Sequence, residues 1–108
     1  MSDGDLVVVQ TSFENRDEAV KMSRDLIAKK LSACVHIDSV ESFYEWEGEI
    51  CQSQEYRLQM KTVKTLYEEL EAFILKEHSY DVPEIIQLPI ERSSQSYGTW
   101  MRDELQKD

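Results

Sequence analysis

Apolar and polar positions in this chain switch between two periods, one close to two and one close to 3.6. A first apolar run covers Leu6 to Val9, and helix-period spacing follows from Arg16 to Leu31. A β-rich run then extends from Ala33 to Ile50, and a second from Glu55 to Thr62. Helical spacing returns from Leu66 to Lys76, a last apolar run covers Glu84 to Ile90, and a third helix is expected from Ser94 to Leu105. Strand, helix, strand, repeated twice in series, predicts an α+β fold: a ferredoxin-like split βαβ sandwich with an added C-terminal helix. Helices cover one face of such a sheet. The other face is expected to be apolar and to seek a further copy of the chain.

Local signals sharpen this outline. Asn15 followed by Glu18 has capping-box spacing for the first helix. Ala19, Met22, Leu26 and Ile27 form its apolar stripe, with the stem of Lys30 alongside. The second helix is expected to be capped by Thr62 or Thr65, and to bury Leu66, Leu70, Phe73 and Ile74. Tyr56, Leu58 and Met60 alternate with Arg57, Gln59 and Lys61, as in an antiparallel strand with one apolar face. Gly48 marks a bend or hairpin loop. Pro89 implies that the last strand lies at an edge or bulges there. In the third helix Tyr97, Trp100, Met101 and Leu105 share the side expected to be buried. The arms around Gly48 are longer than one small sheet needs, so pairing between subunits is expected there.

At 108 residues the chain predicts a single domain over 1–108. It carries 22 acidic and 12 basic residues, a net charge of -10. Such a charge disfavours nucleic acid and anionic membrane as partners. No apolar stretch approaches the roughly 20 residues of a membrane span. The acidic start, Met1 to Asp5, lacks the basic and apolar regions of a signal peptide, so a cytoplasmic protein is expected. Cys34 and Cys51 form no C-x-x-C pair, and free thiols fit a reducing compartment. Cys34 reads as a small buried hydrophobe and Cys51 as lying beside a turn.

Motifs for catalysis are missing. The three glycines are scattered, and there is no nucleophile elbow or H-E-x-x-H. The chain is therefore expected not to be an enzyme. His36 and His78 are the imidazoles available to a metal, and Glu77 places a carboxylate next to His78.

Several segments together resemble the CutA divalent-cation tolerance family. They are Ala33-Cys34-Val35, Tyr44-Glu45-Trp46-Glu47-Gly48, Lys61-Thr62, His78-Ser79-Tyr80-Asp81-Val82-Pro83-Glu84, Leu88-Pro89, and Tyr97 with Trp100. The resemblance implies a trimer of ferredoxin-like subunits linked to tolerance of copper and other divalent metals. It also implies a copper site, but at the family's cysteine position this chain has Gln10, and at its first histidine position Glu77. Only His78 is retained, and Ser79 replaces a proline. The expected site is therefore a weak one, built from His78, Glu77 and Gln10, because a thiolate and an imidazole are lost. An alternative is a small-ligand sensor, by architectural analogy with the trimeric PII signalling proteins. Trp46, Lys61, Tyr80 and Glu84 would then line a cleft between subunits. In the simpler arrangement Trp46 and Tyr80 pack the trimer and Lys61 pairs with Glu84.

Overall fold

The computed structural model describes residues 5–106. Residues 1–4, on which the expectation about targeting rests, lie outside the described residues, as do 107–108. The elements are β1 (Leu6–Phe13), α1 (Arg16–Ala28), β2 (Cys34–Trp46), β3 (Glu49–Val63), α2 (Tyr67–Glu77), β4 (Ile86–Pro89) and α3 (Gln95–Glu104). The sheet is antiparallel throughout, in the order β2-β3-β1-β4. This is the strand order of the split βαβ sandwich read from the sequence. Pro89 sits on β4, which pairs only with β1, so its missing N–H falls at an edge.

Strand alternation decides what each face buries. Val7, Val9 and Phe13 of β1 join Leu58 and Met60 of β3 beneath α1 and α2. Those helices contribute Ala19, Met22, Leu26, Leu70 and Ile74. Leu6 and Val63 have the opposite parity, and Met101 and Leu105 of α3 pack on them. The third helix thus covers one end of the face that α1 and α2 leave open.

The rest of that open face is not the apolar surface expected. Reading across the register, its rows are Cys34–Lys61–Val8–Leu88, then His36–Gln59–Gln10–Ile86, then Asp38–Arg57–Ser12. Polar groups dominate, and Arg57 grips Asp38 through two bonds of 3.2 and 2.8 Å. Exposed apolar groups are found both on the hairpin arm, as Phe43, Tyr44, Trp46 and Ile50, and at the β4 edge of the open face, as Ile86 and Leu88. Cys34 is half-buried on the open face, not a core residue.

Helix boundaries differ from the expectation where the backbone itself intervenes. Asn15 caps α1 by accepting the Glu18 N–H at 3.1 Å. At the other end Lys30 takes φ 58°. The Lys30 N–H then reaches the Ile27 carbonyl at 3.1 Å, and the Leu31 N–H reaches that of Leu26 at 2.9 Å. This is a Schellman closure, so α1 stops at Ala28 while Leu31 still enters the core. Ile27 falls outside the buried stripe, at 44% exposed. Neither Thr62 nor Thr65 caps α2. A single 3-10 turn, Lys64–Leu66, leads into it, and the Thr62 hydroxyl donates to the Leu31 carbonyl at 2.8 Å. In α3 Tyr97 and Trp100 stay partly exposed, at 37% and 41%, while Gly98 and Met101 are buried.

The hairpin between β2 and β3 gives the molecule its shape. Trp46 pairs with Glu49, leaving a two-residue turn, Glu47 (φ 52°) and Gly48 (φ 81°). Positive φ at both positions marks a turn whose twist matches the strands. Pairing of β3 with β1 ends at Tyr56 and Phe13, so residues 49–55 pair with β2 alone. The arm stretches the subunit to 50 × 26 × 21 Å. Its radius of gyration is 14.8 Å, against about 13 Å for a compact chain of this size.

Candidate functional site

The residues after α2 form the most connected polar cluster. His78 ends the helix with its backbone N–H on the Ile74 carbonyl, and then the chain turns extended. Its Nδ1 accepts the Tyr80 N–H at 3.1 Å. That assigns the proton to Nε2, which donates to the Ser12 carbonyl at 2.7 Å. The ring stacks on Phe13 at 4.0 Å and 7°. Burial pushes the His78 pKa below the usual imidazole value, outweighing the Ser12 bond and the nearby Glu18 and Glu55 charges.

Tyr80 crosses from this stack to the base of the hairpin arm. Its hydroxyl donates to Glu55 Oε2 at 2.8 Å. The other oxygen, Oε1, accepts from Ser42 at 2.9 Å and from Ser12 at 3.2 Å. Burial first, then the bond to Glu55, push the Tyr80 phenol well above its ordinary pKa. One carboxylate thus ties β1, β2, β3 and the segment after α2 together. Chemically this is a fastening. Its phenol is driven away from ionisation, and its imidazole has both nitrogens occupied.

One chain does not bring the three expected copper ligands together. His78 has no free nitrogen, and Glu77 is exposed at the end of α2. Gln10 lies on the open face, in the row of His36 and Gln59. The physical reason is the parity of β1: Gln10 points opposite to Phe13, on which His78 stacks. Among the described residues no group of three or more His, Cys, Asp and Glu could hold a metal. Near Gln10, Cys34 and exposed His36 lie two positions apart on one face of β2. Their spacing in the β-rich run was visible in the sequence.

Nor does a single chain gather the expected cleft residues. Trp46 stands at the hairpin end, 64% exposed. Its partner Glu49 and Lys61 lie on the same strand, roughly 40 Å apart at about 3.4 Å per residue. Lys61 does not pair with Glu84. Its Nζ meets the Tyr97 hydroxyl at 3.2 Å and lies 5.1 Å from that ring's centre. Tyr80 is committed to Glu55, and Glu84 is exposed ahead of β4.

Comparison with known proteins gives the lineage. Residues 7–104 match the family model described as CutA1 divalent ion tolerance protein. The chain belongs to the CutA1 family. A divalent-cation tolerance protein CutA of Pyrococcus horikoshii is 33% identical over 94% of this chain and 100% of its own length. The chloroplastic CutA of Arabidopsis thaliana is 39% identical over 90% of this chain, which spans only 54% of that relative. A CutA1 crystal structure from Ehrlichia chaffeensis superposes with a TM-score of 0.93 at 28% identity, covering 98% of this chain and 100% of that one. A CutA structure from Archaeoglobus fulgidus, described as periplasmic, gives 0.90 at 30% identity, over 94% and 99% of the two chains. This CutA1-family chain contains no helix long and apolar enough to cross a membrane among its described residues.

Proposed function

We propose that the chain serves divalent-cation tolerance as a homotrimer that binds metal ions, copper among them, weakly. The observation that carries the assembly is the hairpin arm. Residues 49–55 of β3 present an unpaired edge beyond the end of β1, and β4 presents a second. Ile50, 83% exposed, lies there with Trp46 and Phe43. Exposed edges and apolar groups side by side call for a strand from another copy. The choice of three copies follows the family resemblance.

With both His78 nitrogens bonded, the open face is the better metal locus. His36 and Cys34 lie about 7 Å apart along β2 by strand rise. Thiolate and imidazole suit copper and zinc, and two ligands imply modest affinity. The protein acts here as a binder, not an enzyme, since the perturbed pair His78 and Tyr80 is occupied in holding the fold. Two free thiols support a reducing, cytoplasmic setting.

Sedimentation combined with calorimetric titration of Cu(II) and Zn(II) tests both halves. A trimer is expected, with weak binding lost in His36→Ala and Cys34→Ser but kept in His78→Ala. A monomer at micromolar concentration refutes the assembly. Loss of binding in His78→Ala alone returns the metal to the segment after α2.

A further inference from the structure

The hairpin arm leaves the sheet at one row. Ser39, Tyr56 and Phe13 form the last row of three strands, and Val40 with Glu55 the first of two. From there to the turn the arm is a two-stranded ribbon, and such a ribbon alone is marginally stable in water. Its base also carries a cost. Ser53, opposite Ser42, has a buried hydroxyl with no partner among the described residues. Swinging the arm aside would hydrate that hydroxyl, so the pose has to be held from elsewhere.

Glu55 sits at this hinge and bonds to both sides of it. Its Oε1 accepts from Ser12 of β1 at 3.2 Å and from Ser42 of the arm at 2.9 Å. Its Oε2 accepts from Tyr80 at 2.8 Å. Tyr80 is in turn fixed to the end of β1 through His78, whose ring lies on Phe13 and whose nitrogens bond the Ser12 carbonyl and the Tyr80 N–H. Among the described residues, the side-chain hydrogen bonds that reach the arm from outside the hairpin both end on Glu55.

We propose that residues 78–80 form a strap that latches the arm: with Tyr80 on Glu55 the arm is fixed to the sheet, and without that bond it swings as a unit about the end of β1. Tyr80 and Glu55 then act as positioning residues, setting the pose in which Trp46 and Ile50 meet another copy. That consequence rests on the assembly proposed above. The latch itself does not, because every group in it belongs to one chain.

Residue-resolved hydrogen exchange of wild type, Tyr80→Phe and Gly98→Ala, with sedimentation of the same samples, is the test. Tyr80→Phe keeps the ring and the backbone bond to His78 and removes one hydroxyl. Protected amides of 40–46 and 49–55 should exchange roughly tenfold faster in it than in wild type. Gly98→Ala strains the far end of the sheet. It should speed the amides of Val7 to Thr11 roughly tenfold and leave the arm within about twofold of wild type, because an arm that opens on its own does not feel that strain. Sedimentation of Tyr80→Phe should shift toward smaller species. Unchanged arm exchange in Tyr80→Phe overturns the latch. Equal acceleration of arm and β1 in Gly98→Ala also overturns it, since the arm then has no opening of its own. An assembled wild type with an unshifted Tyr80→Phe overturns control of assembly by the strap. A monomeric wild type refutes the assembly reading instead, and the exchange comparison then decides the latch alone.

Discussion

Acidification is expected to loosen the base of the hairpin arm through His78. In the folded chain the imidazole is neutral, because Nδ1 must accept the Tyr80 N–H while Nε2 donates to Ser12. Its pKa is lowered by burial, so the unfolded chain takes up a proton first as pH falls below about 6.5. The stabilising contribution is therefore complete above that value and is lost as pH drops toward the folded pKa. The slope from this one group cannot exceed about 1.4 kcal/mol per pH unit. Protonation removes the acceptor for the Tyr80 N–H, and His78→Phe removes both bonds while keeping an aromatic ring over Phe13. At neutral pH, two bonds at about 1 kcal/mol each put the cost of His78→Phe near 2 kcal/mol. His78→Ala also loses the stack, raising the cost to about 3 kcal/mol. The assay is urea unfolding of wild type and His78→Phe at fixed protein concentration, from pH 7.5 to pH 5. Wild type should lose more stability than His78→Phe as pH falls, so the two curves converge. Parallel curves would show that His78 titrates alike in both states and would refute the argument.

Four further outcomes follow from the geometry. Thr11 is fully buried, and its hydroxyl finds no partner among the described residues, so Thr11→Val should raise stability by about 1 kcal/mol, read as urea midpoint. Glu47→Asn should raise the melting temperature, since Asn tolerates the positive φ better and restores the favoured Asn-Gly turn. Gly98→Ala should lower stability by about 1–3 kcal/mol, because its Cβ forces Ser93 and Arg102 aside; an unchanged urea midpoint would show that they yield freely. Trp46→Ala should leave the subunit's own stability within about 0.5 kcal/mol, yet weaken self-association in sedimentation.

Strand order and core were legible because alternation in Tyr56 to Lys61 and helical spacing in Ala19, Met22 and Leu26 are direct records of burial. The departures have separate causes. Lys30 in a left-handed conformation ends α1 early, and no pattern announces a lysine there. Thr62 looked like a cap, but its hydroxyl answers the Leu31 carbonyl, a tertiary bond that local sequence does not contain. His78 read as a ligand because it follows Glu77; its two bonds reach Ser12 and Tyr80, one of them 66 residues away. Lys61 and Glu84 looked complementary by charge, whereas the lysine meets Tyr97 from a helix whose docking side was unknown. Parity along a strand could be read. Which distant element arrives at each face could not.

The hairpin arm carries a consequence for the newly made chain. Residues 49–55 offer a bare backbone edge that carries Ile50 and runs beside Trp46, and the proposed assembly is what would cover it. That is the surface on which fibrils and misjoined chains grow. Glu41, Glu45, Glu47 and Glu49 are spaced through the same arm. Stacking many copies in register would crowd these carboxylates at each layer, whereas a small closed ring does not. Under the proposed assembly, the acidic arm would favour a closed ring over runaway growth.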